Sequence, residues 1–223
     1  MDESQLTGIL GWIGNGIYAS MAGVALYGVF TVILLARRIG QKRFKGPAAA
    51  EEFLDGIRDS MNSQNFEEAA DLCDSPGYWA KAIPQLIMVG LANRQRPVNK
   101  IRKTMGEHFD REIQADLDYR MSWINTVVKT APMLGLLGTV TGMIQAFGKI
   151  AGAAKGGTDP SALAGDISFA LFTTAMGLII AIPLVMGGAW INVRIGKLQD
   201  EVQQYLGVFL EDLEAAVAKS GRR

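Results

Sequence analysis

Three uncharged apolar runs punctuate the chain: residues 4–36, 130–148 and 167–193 contain no Asp, Glu, Lys or Arg, and nearly all the charge lies between or after them. A soluble fold needs polar faces on its helices, whereas a bilayer core of about 30 Å needs roughly 20 apolar residues of helix. The pattern therefore predicts an all-α membrane protein with three transmembrane helices, at residues 17–36, 124–148 and 167–193. The third is longer than a bilayer requires and is expected to tilt or protrude. Near the start of the second, Lys129 has a stem long enough to snorkel to the aqueous side. Ahead of the first, Leu6, Ile9, Leu10 and Ile13 recur at helical spacing and predict a separate helix over residues 1–16 lying along the membrane surface.

The polar segment 37–123 also carries helical periodicity. Phe53, Leu54, Ile57 and Met61 predict one helix, and Phe66, Ala69, Ala70 and Cys73 a second that Ser75, Pro76 and Gly77 terminate. AIPQLIMVGLAN is too short to span and is expected to pack inside a cytosolic bundle. Ile101, Met105, Phe109, Ile113 and Leu117 follow in steps of four with no intervening Pro, so a long helix should run into the second span. Beyond the third span, residues 194–223 continue a stripe through Ile195, Leu198, Val202, Tyr205, Leu206, Phe209 and Leu213. Long cytoplasmic helical extensions of the membrane helices are the expected architecture.

Basic residues orient it. Arg37, Arg38, Lys42, Arg43 and Lys45 follow the first span and no Lys or Arg precedes it, which places the N-terminus outside and residues 37–123 in the cytoplasm. Residues 149–166 become a short outer loop with Gly and Asp-Pro turn chemistry. Lys149 and Lys155 in that loop oppose this orientation mildly, while Arg194 and Lys197 support a cytoplasmic C-terminus. Asp2 and Glu3 stand where a secretory signal needs a basic start, so the first run is expected to remain as an anchor.

Composition excludes several classes. Lys plus Arg (22) equal Asp plus Glu (22), which gives nucleic acid no electrostatic purchase. Cys73 is the single cysteine, so neither an intramolecular disulfide nor a cysteine metal cluster can form. His108 has no ligand-spaced partner, and no phosphate loop, nucleophile elbow or zinc signature occurs. An enzyme is not expected, nor a cofactor. Arg94, Arg96, Lys100, Arg102 and Lys103 form a basic run that reads either as a solvated face or as a contact for anionic lipid.

The informative residues lie in the second and third spans. Gly135, Gly138, Gly142 and Ala146 form one smooth helical face, with Thr139 on the same side. Ala170, Thr174, Gly177 and Ala181 repeat the arrangement. Pro132 marks the start of span two, and Pro183 lies inside span three, where it removes a backbone hydrogen bond and is expected to kink the helix or free a carbonyl. Such faces occur wherever membrane helices pack, and a Thr hydroxyl often bonds only its own helix, so packing and function both remain open on pattern alone.

The motif APxxGLLGTVxGMIxxF from Ala131, and ALxTTAxGLxxAIP from Ala170, resemble the signature of the MotA/TolQ/ExbB proton channel family. The likeness is specific over about residues 121–194. Three spans, with the large polar segment between the first and second, resemble the ExbB/TolQ branch rather than the four-span stators. The resemblance implies a homopentamer whose second and third spans line a pore, occupied by two copies of an ExbD/TolR-like single-span protein that carries a membrane aspartate. Thr139 and Thr174 match the family's pore-lining threonines. On this reading the chain is half of a proton path in the bacterial inner membrane and the acid is supplied in trans; protons are translocated and drive TonB-, Tol- or gliding-type work at the envelope. A TonB- or TolA-like protein is a further partner that the resemblance admits, beside membrane lipids.

One position departs from the pattern. ExbB-like members carry a glutamate before the Ala-Leu of span three, and here Phe169 stands there. Asp166, a turn earlier, either substitutes for it at the membrane edge or caps the helix start. Two other classes stand beside the motor: a non-conducting structural scaffold for a partner complex, and a self-sufficient channel or transporter, which the lack of an intramembrane charge and of an inverted repeat disfavours.

Overall fold

A computed structural model describes residues 3–152 and 160–220, all of them helical or in short connections. Helix α1 covers Glu3–Lys42, α2 Pro47–Asn62, α3 Phe66–Asp74, α4 Ala82–Ala92 and α5 Val98–His108. A π-helical turn, Phe109–Gln114, joins α5 to α6 (Ala115–Gly152), and α7 runs from Pro160 to Ser220. Among the described residues, three helical stretches are long and apolar enough to cross a membrane: Gly14–Lys42, Val98–Gly152 and Pro160–Lys219. The expected all-helical, three-span architecture with long helical extensions is what the chain forms.

Two boundaries differ from the sequence reading. From Glu3 onward, the surface helix expected over residues 1–16 continues without a break into the first span, through Gly14, Asn15 and Gly16. At the other connection, residues 149–152 still belong to α6 and Pro160 already opens α7. The connection expected over 149–166 is thus helical at both ends; Lys155 lies outside the described residues. Proline at a first helical position gives up an N–H that has no intrahelical partner anyway.

The chain forms two compact units. The first comprises Met1–Ile33 and Met121–Trp190, a bundle of the apolar stretches of α1, α6 and α7. Met21, Ile124, Ala131 and Leu184 are buried in it, whereas Leu26, Phe30, Met133, Leu171 and Met186 face outward. Large apolar side chains on the outside of a bundle are what hydrocarbon, rather than water, tolerates. A Cβ on Gly28 would meet Leu184 and Val127 at 2.7 and 2.8 Å, so glycine lets α1 approach both other helices.

The second unit comprises Leu34–Arg120 and Ile191–Arg223. Here α2 packs on α3, α3 on α4, and α4 on α5 and the π turn. Gln64, at φ 61°, ends α2 in the left-handed region, and the Asn65 N–H returns to the Ser60 carbonyl at 2.9 Å. Asn65 then caps α3 by accepting from the Glu68 N–H. Arg43 and Glu201 form a bidentate ion pair, and Arg58 Nε donates to Asp212 at 2.9 Å, tying α2 and its approach to α7.

The π turn answers the four-step spacing of Ile101, Met105, Phe109, Ile113 and Leu117, all of which are buried. In an α-helix each four-residue step overshoots a full turn by about 40°. Four such steps would carry the last residue well off the core. A stretch with wider i→i+5 turns absorbs the overshoot and keeps the stripe facing inward.

Cys73 is buried in this unit, and burial, with Asp74 beside it, pushes its thiol up to about 12. A thiol held there has almost no thiolate at pH 8. Alkylation of the native protein by iodoacetamide is expected to be at least 100-fold slower than that of the denatured chain, measured by mass shift over time; equal rates would contradict the burial.

Candidate functional site

The small-residue faces of α6 and α7 meet each other within one chain. A Cβ on Gly135 would lie 2.9 Å from the Thr173 carbonyl oxygen and 3.0 Å from Thr174 Cα. One on Gly142 would lie 2.8 Å from Ala170 Cβ and 2.9 Å from the Asp166 carbonyl oxygen. Reciprocally, a Cβ on Gly177 would reach the Ala131 carbonyl at 2.8 Å and Pro132 Cα at 3.3 Å. Backbone therefore touches backbone along a seam, the arrangement by which small residues bring membrane helices together. Ala146, Ala170 and Ala181, from the same faces, are buried as well.

Thr173, which the sequence reading passed over, is the seam's central polar residue. It is 0% exposed, and its hydroxyl donates to the Ala170 carbonyl at 2.8 Å with the Gly135 carbonyl at 3.4 Å. A Cβ on Gly138 would come to 2.5 Å from Thr173 Cβ, so glycine is required opposite it. Its neighbour Thr174, half-buried, donates across the seam to the same Gly135 carbonyl at 3.1 Å. Thr139 is also half-buried, but its hydroxyl donates to Leu136 of its own helix at 2.7 Å. Thr141, buried, bonds Leu137 at 2.8 Å in the same way. A hydroxyl satisfied on its own helix costs nothing in an apolar surrounding.

Pro132 and Pro183 both lie inside their helices, and neither ends one. Asp166 does not cap α7, as one sequence reading had it: the helix begins six residues earlier, at Pro160. Its carboxylate instead pairs with Lys149 of α6 at 2.7 Å, with only 12% of the side chain exposed. Phe169 turns towards α1, where its ring meets Tyr18 edge-on at 5.4 Å and fills the space beside Gly14. Phe169 thus makes an aromatic contact between α1 and α7. Among the described residues, no group of three or more His, Cys, Asp or Glu side chains is placed to hold a metal ion.

A bundle of three membrane-length helices, with the second and third in close contact along a seam of glycine and threonine, defines a helical membrane protein. The sequence profile of the MotA/TolQ/ExbB proton channel family matches residues 78–204, more than half of the chain. The chain belongs to that family, in its ExbB/TolQ branch. It is similar to the biopolymer transport protein exbB1 of Vibrio cholerae, 28% identical over 193 residues covering 82% of this chain and 80% of that protein. The biopolymer transport protein ExbB of Neisseria meningitidis is 27% identical over 79% of this chain and 81% of its own length. The Tol-Pal system protein TolQ of Haemophilus influenzae is 32% identical over 48% of this chain and 46% of its own.

Proposed function

We propose that this chain is the proton-channel, or stator, subunit of an inner-membrane motor that converts the proton motive force into work at the cell envelope. Five copies surround a pore, and two copies of an ExbD/TolR-like single-span protein occupy it and contribute the titrating carboxylate; a TonB- or TolA-like protein receives the work. The N-terminus is periplasmic and the C-terminus cytoplasmic, in keeping with the basic residues that follow the first and third spans. Family membership supports this reading, as do relatives named for biopolymer transport and for the Tol-Pal system.

The observation that carries it is the chemistry of the seam. Between Thr130 and Gly148, and between Ile167 and Val193, hydroxyls are present but no side chain can gain or lose a proton near neutral pH. A proton relay through a membrane wants an ionisable group, so a conducting assembly must obtain it from a partner, with Thr139 and Thr174 as polar neighbours to that acid. Each proton crossing the membrane releases about 2.3 kcal/mol per 100 mV, enough to tilt or turn the partner against the surrounding helices.

Proton flux into proteoliposomes, followed with a pH-sensitive dye, tests this. Flux is expected only when the partner is co-reconstituted. Thr139→Val and Thr174→Val should each lower it roughly tenfold, as losing about 1.4 kcal/mol of barrier stabilisation does. Thr→Ser at either position should retain it. A second reading, the non-conducting scaffold, is favoured by the fact that both hydroxyls already donate to carbonyls of their own chain. It predicts that the valine variants support full envelope function and that partner-dependent flux is never seen.

A further inference from the structure

The turn between α3 and α4, residues 75–81, places its two adjacent aromatic side chains differently. Tyr78 packs inward, its ring 4.7 Å from that of Phe53 and 5.9 Å from that of Phe44. Trp79 is left outside, 59% exposed, and Pro76 and Gly77 before it are exposed as well. It is the one tryptophan of the second unit. Tryptophan is on average a well-buried residue type, and outside a core its amphipathic ring favours the boundary between water and lipid.

The height of the turn is set by its ties to the end of α1, within the same unit. Lys81 Nζ donates to the Arg43 carbonyl at 2.9 Å, Lys42 Nζ donates to Gln85 Oε1 at 2.9 Å, and Phe44 meets Tyr78. Lys42 is the last residue of α1 and stands six residues past Ala36, where the first uncharged run stops. At 1.5 Å per residue that is about 9 Å, against a headgroup layer about 5–8 Å deep on each side of the hydrocarbon. The turn therefore stands at the water-facing edge of the headgroups, within reach of an aromatic ring.

Its backbone suits that place. The N–H groups of Tyr78 and Trp79 both donate to the Ser75 carbonyl, at 2.9 and 3.0 Å, and that of Lys81 donates to the Tyr78 carbonyl at 2.9 Å. The Trp79 carbonyl accepts from Gln85 Nε2 at 2.8 Å, and the Ser75 hydroxyl donates to the Leu72 carbonyl at 2.9 Å. Polar groups already bonded lose little where water is scarce. Asp74 before the turn and Lys81 at its end carry opposite charges, so the indole rather than net charge decides what the turn touches.

We propose that the α3–α4 turn is a lipid-contacting surface, with Trp79 seated among the phospholipid headgroups of the bilayer that α1 crosses. The contact rests on α1 spanning the membrane and not on proton conduction. Only its assignment to the cytoplasmic leaflet follows from the orientation proposed above.

The test uses the full-length chain with Trp12→Phe, Trp123→Phe and Trp190→Phe, which leaves Trp79 as the sole indole. It is reconstituted into phosphatidylcholine vesicles with or without bromine on the acyl chains near the headgroup. Trp79 emission is expected to fall roughly twofold in the brominated vesicles, as for a ring at the headgroup boundary. Acrylamide in the water should quench it less than it quenches the denatured chain. Where the triple variant loses its fold, the difference in bromine quenching between the parent protein and Trp79→Phe gives the same reading. Emission that bromine leaves unchanged and acrylamide quenches fully puts the turn in water and overturns the proposal. Emission protected from both quenchers overturns it too, since a protein surface then covers the ring. Because quenching is read without any proton gradient, failure of the motor reading leaves this result untouched, and the converse also holds.

Discussion

Gly138→Ala is expected to loosen the second and third spans from each other, lowering stability in detergent by about 1–3 kcal/mol, the usual cost of overpacking. The added methyl falls 2.5 Å from Thr173 Cβ, and the hydroxyl of Thr173 stands in its way too. Thr173 cannot swing aside freely, because it is fully buried and bonded to the Ala170 carbonyl. Thr173→Ala supplies the second arm of a cycle: it removes the obstacle and its hydrogen bonds together. The double variant Gly138→Ala/Thr173→Ala should be more stable than the sum of the single losses predicts, with a coupling of about 0.5–3 kcal/mol. Thermal unfolding followed by circular dichroism measures all four proteins. Strict additivity would mean that the two side chains do not meet, and the seam as described would be wrong.

The second large effect belongs to the other unit. Phe209 is 1% exposed, and its ring lies 2.6 Å from where a Cβ on Gly90 would stand, with Met105 Sδ at 3.0 Å. Glycine in α4 thus makes a recess that an aromatic ring of α7 fills, closing α4, α5 and α7 over one core. Phe209→Ala empties the recess, and truncating a buried phenylalanine costs about 3–5 kcal/mol. Amide hydrogen exchange locates the loss. Peptides covering Ala82–Ala92 and Val98–His108 should exchange at least tenfold faster, while those within residues 121–190 should hold their protection. Unchanged exchange in α4 would remove Phe209 from its core.

How much of this the sequence disclosed depends on which physical signal each feature leaves. The three spans are legible because exclusion of charge from hydrocarbon is severe and contiguous. The helices around Phe53 and Phe66 are legible through three- and four-residue spacing, and the end of α3 through Ser75. The choice between Thr173 and Thr174 is not. Thr173 is three residues after Ala170 and four before Gly177, Thr174 four after and three before, so helical periodicity admits both equally. The residue that ended in the seam is decided by the rotation of α7 against α6, which is tertiary. The start of α7 left a readable mark, since Pro160 fits a first helical position better than a loop, and heeding it would have removed the cap reading of Asp166. The π turn left one as well: an unbroken run of four-residue steps does not fit a 3.6-residue helix.

The seam has a mechanical consequence. Where two helices touch through side chains, rotamers yield and each helix can bend by itself; where backbone meets backbone, as from Gly135 to Gly142 against Asp166 to Thr174, little remains to give. The hydrogen bonds of Thr173 and Thr174 to Gly135 pin the contact along its length as well as across it. Over this stretch the paired spans have the bending stiffness of a single thicker rod, and a force applied to one is shared by both. Such a beam resists deformation, and Gly135, Gly142 and Gly177 set its stiffness by bringing backbone against backbone.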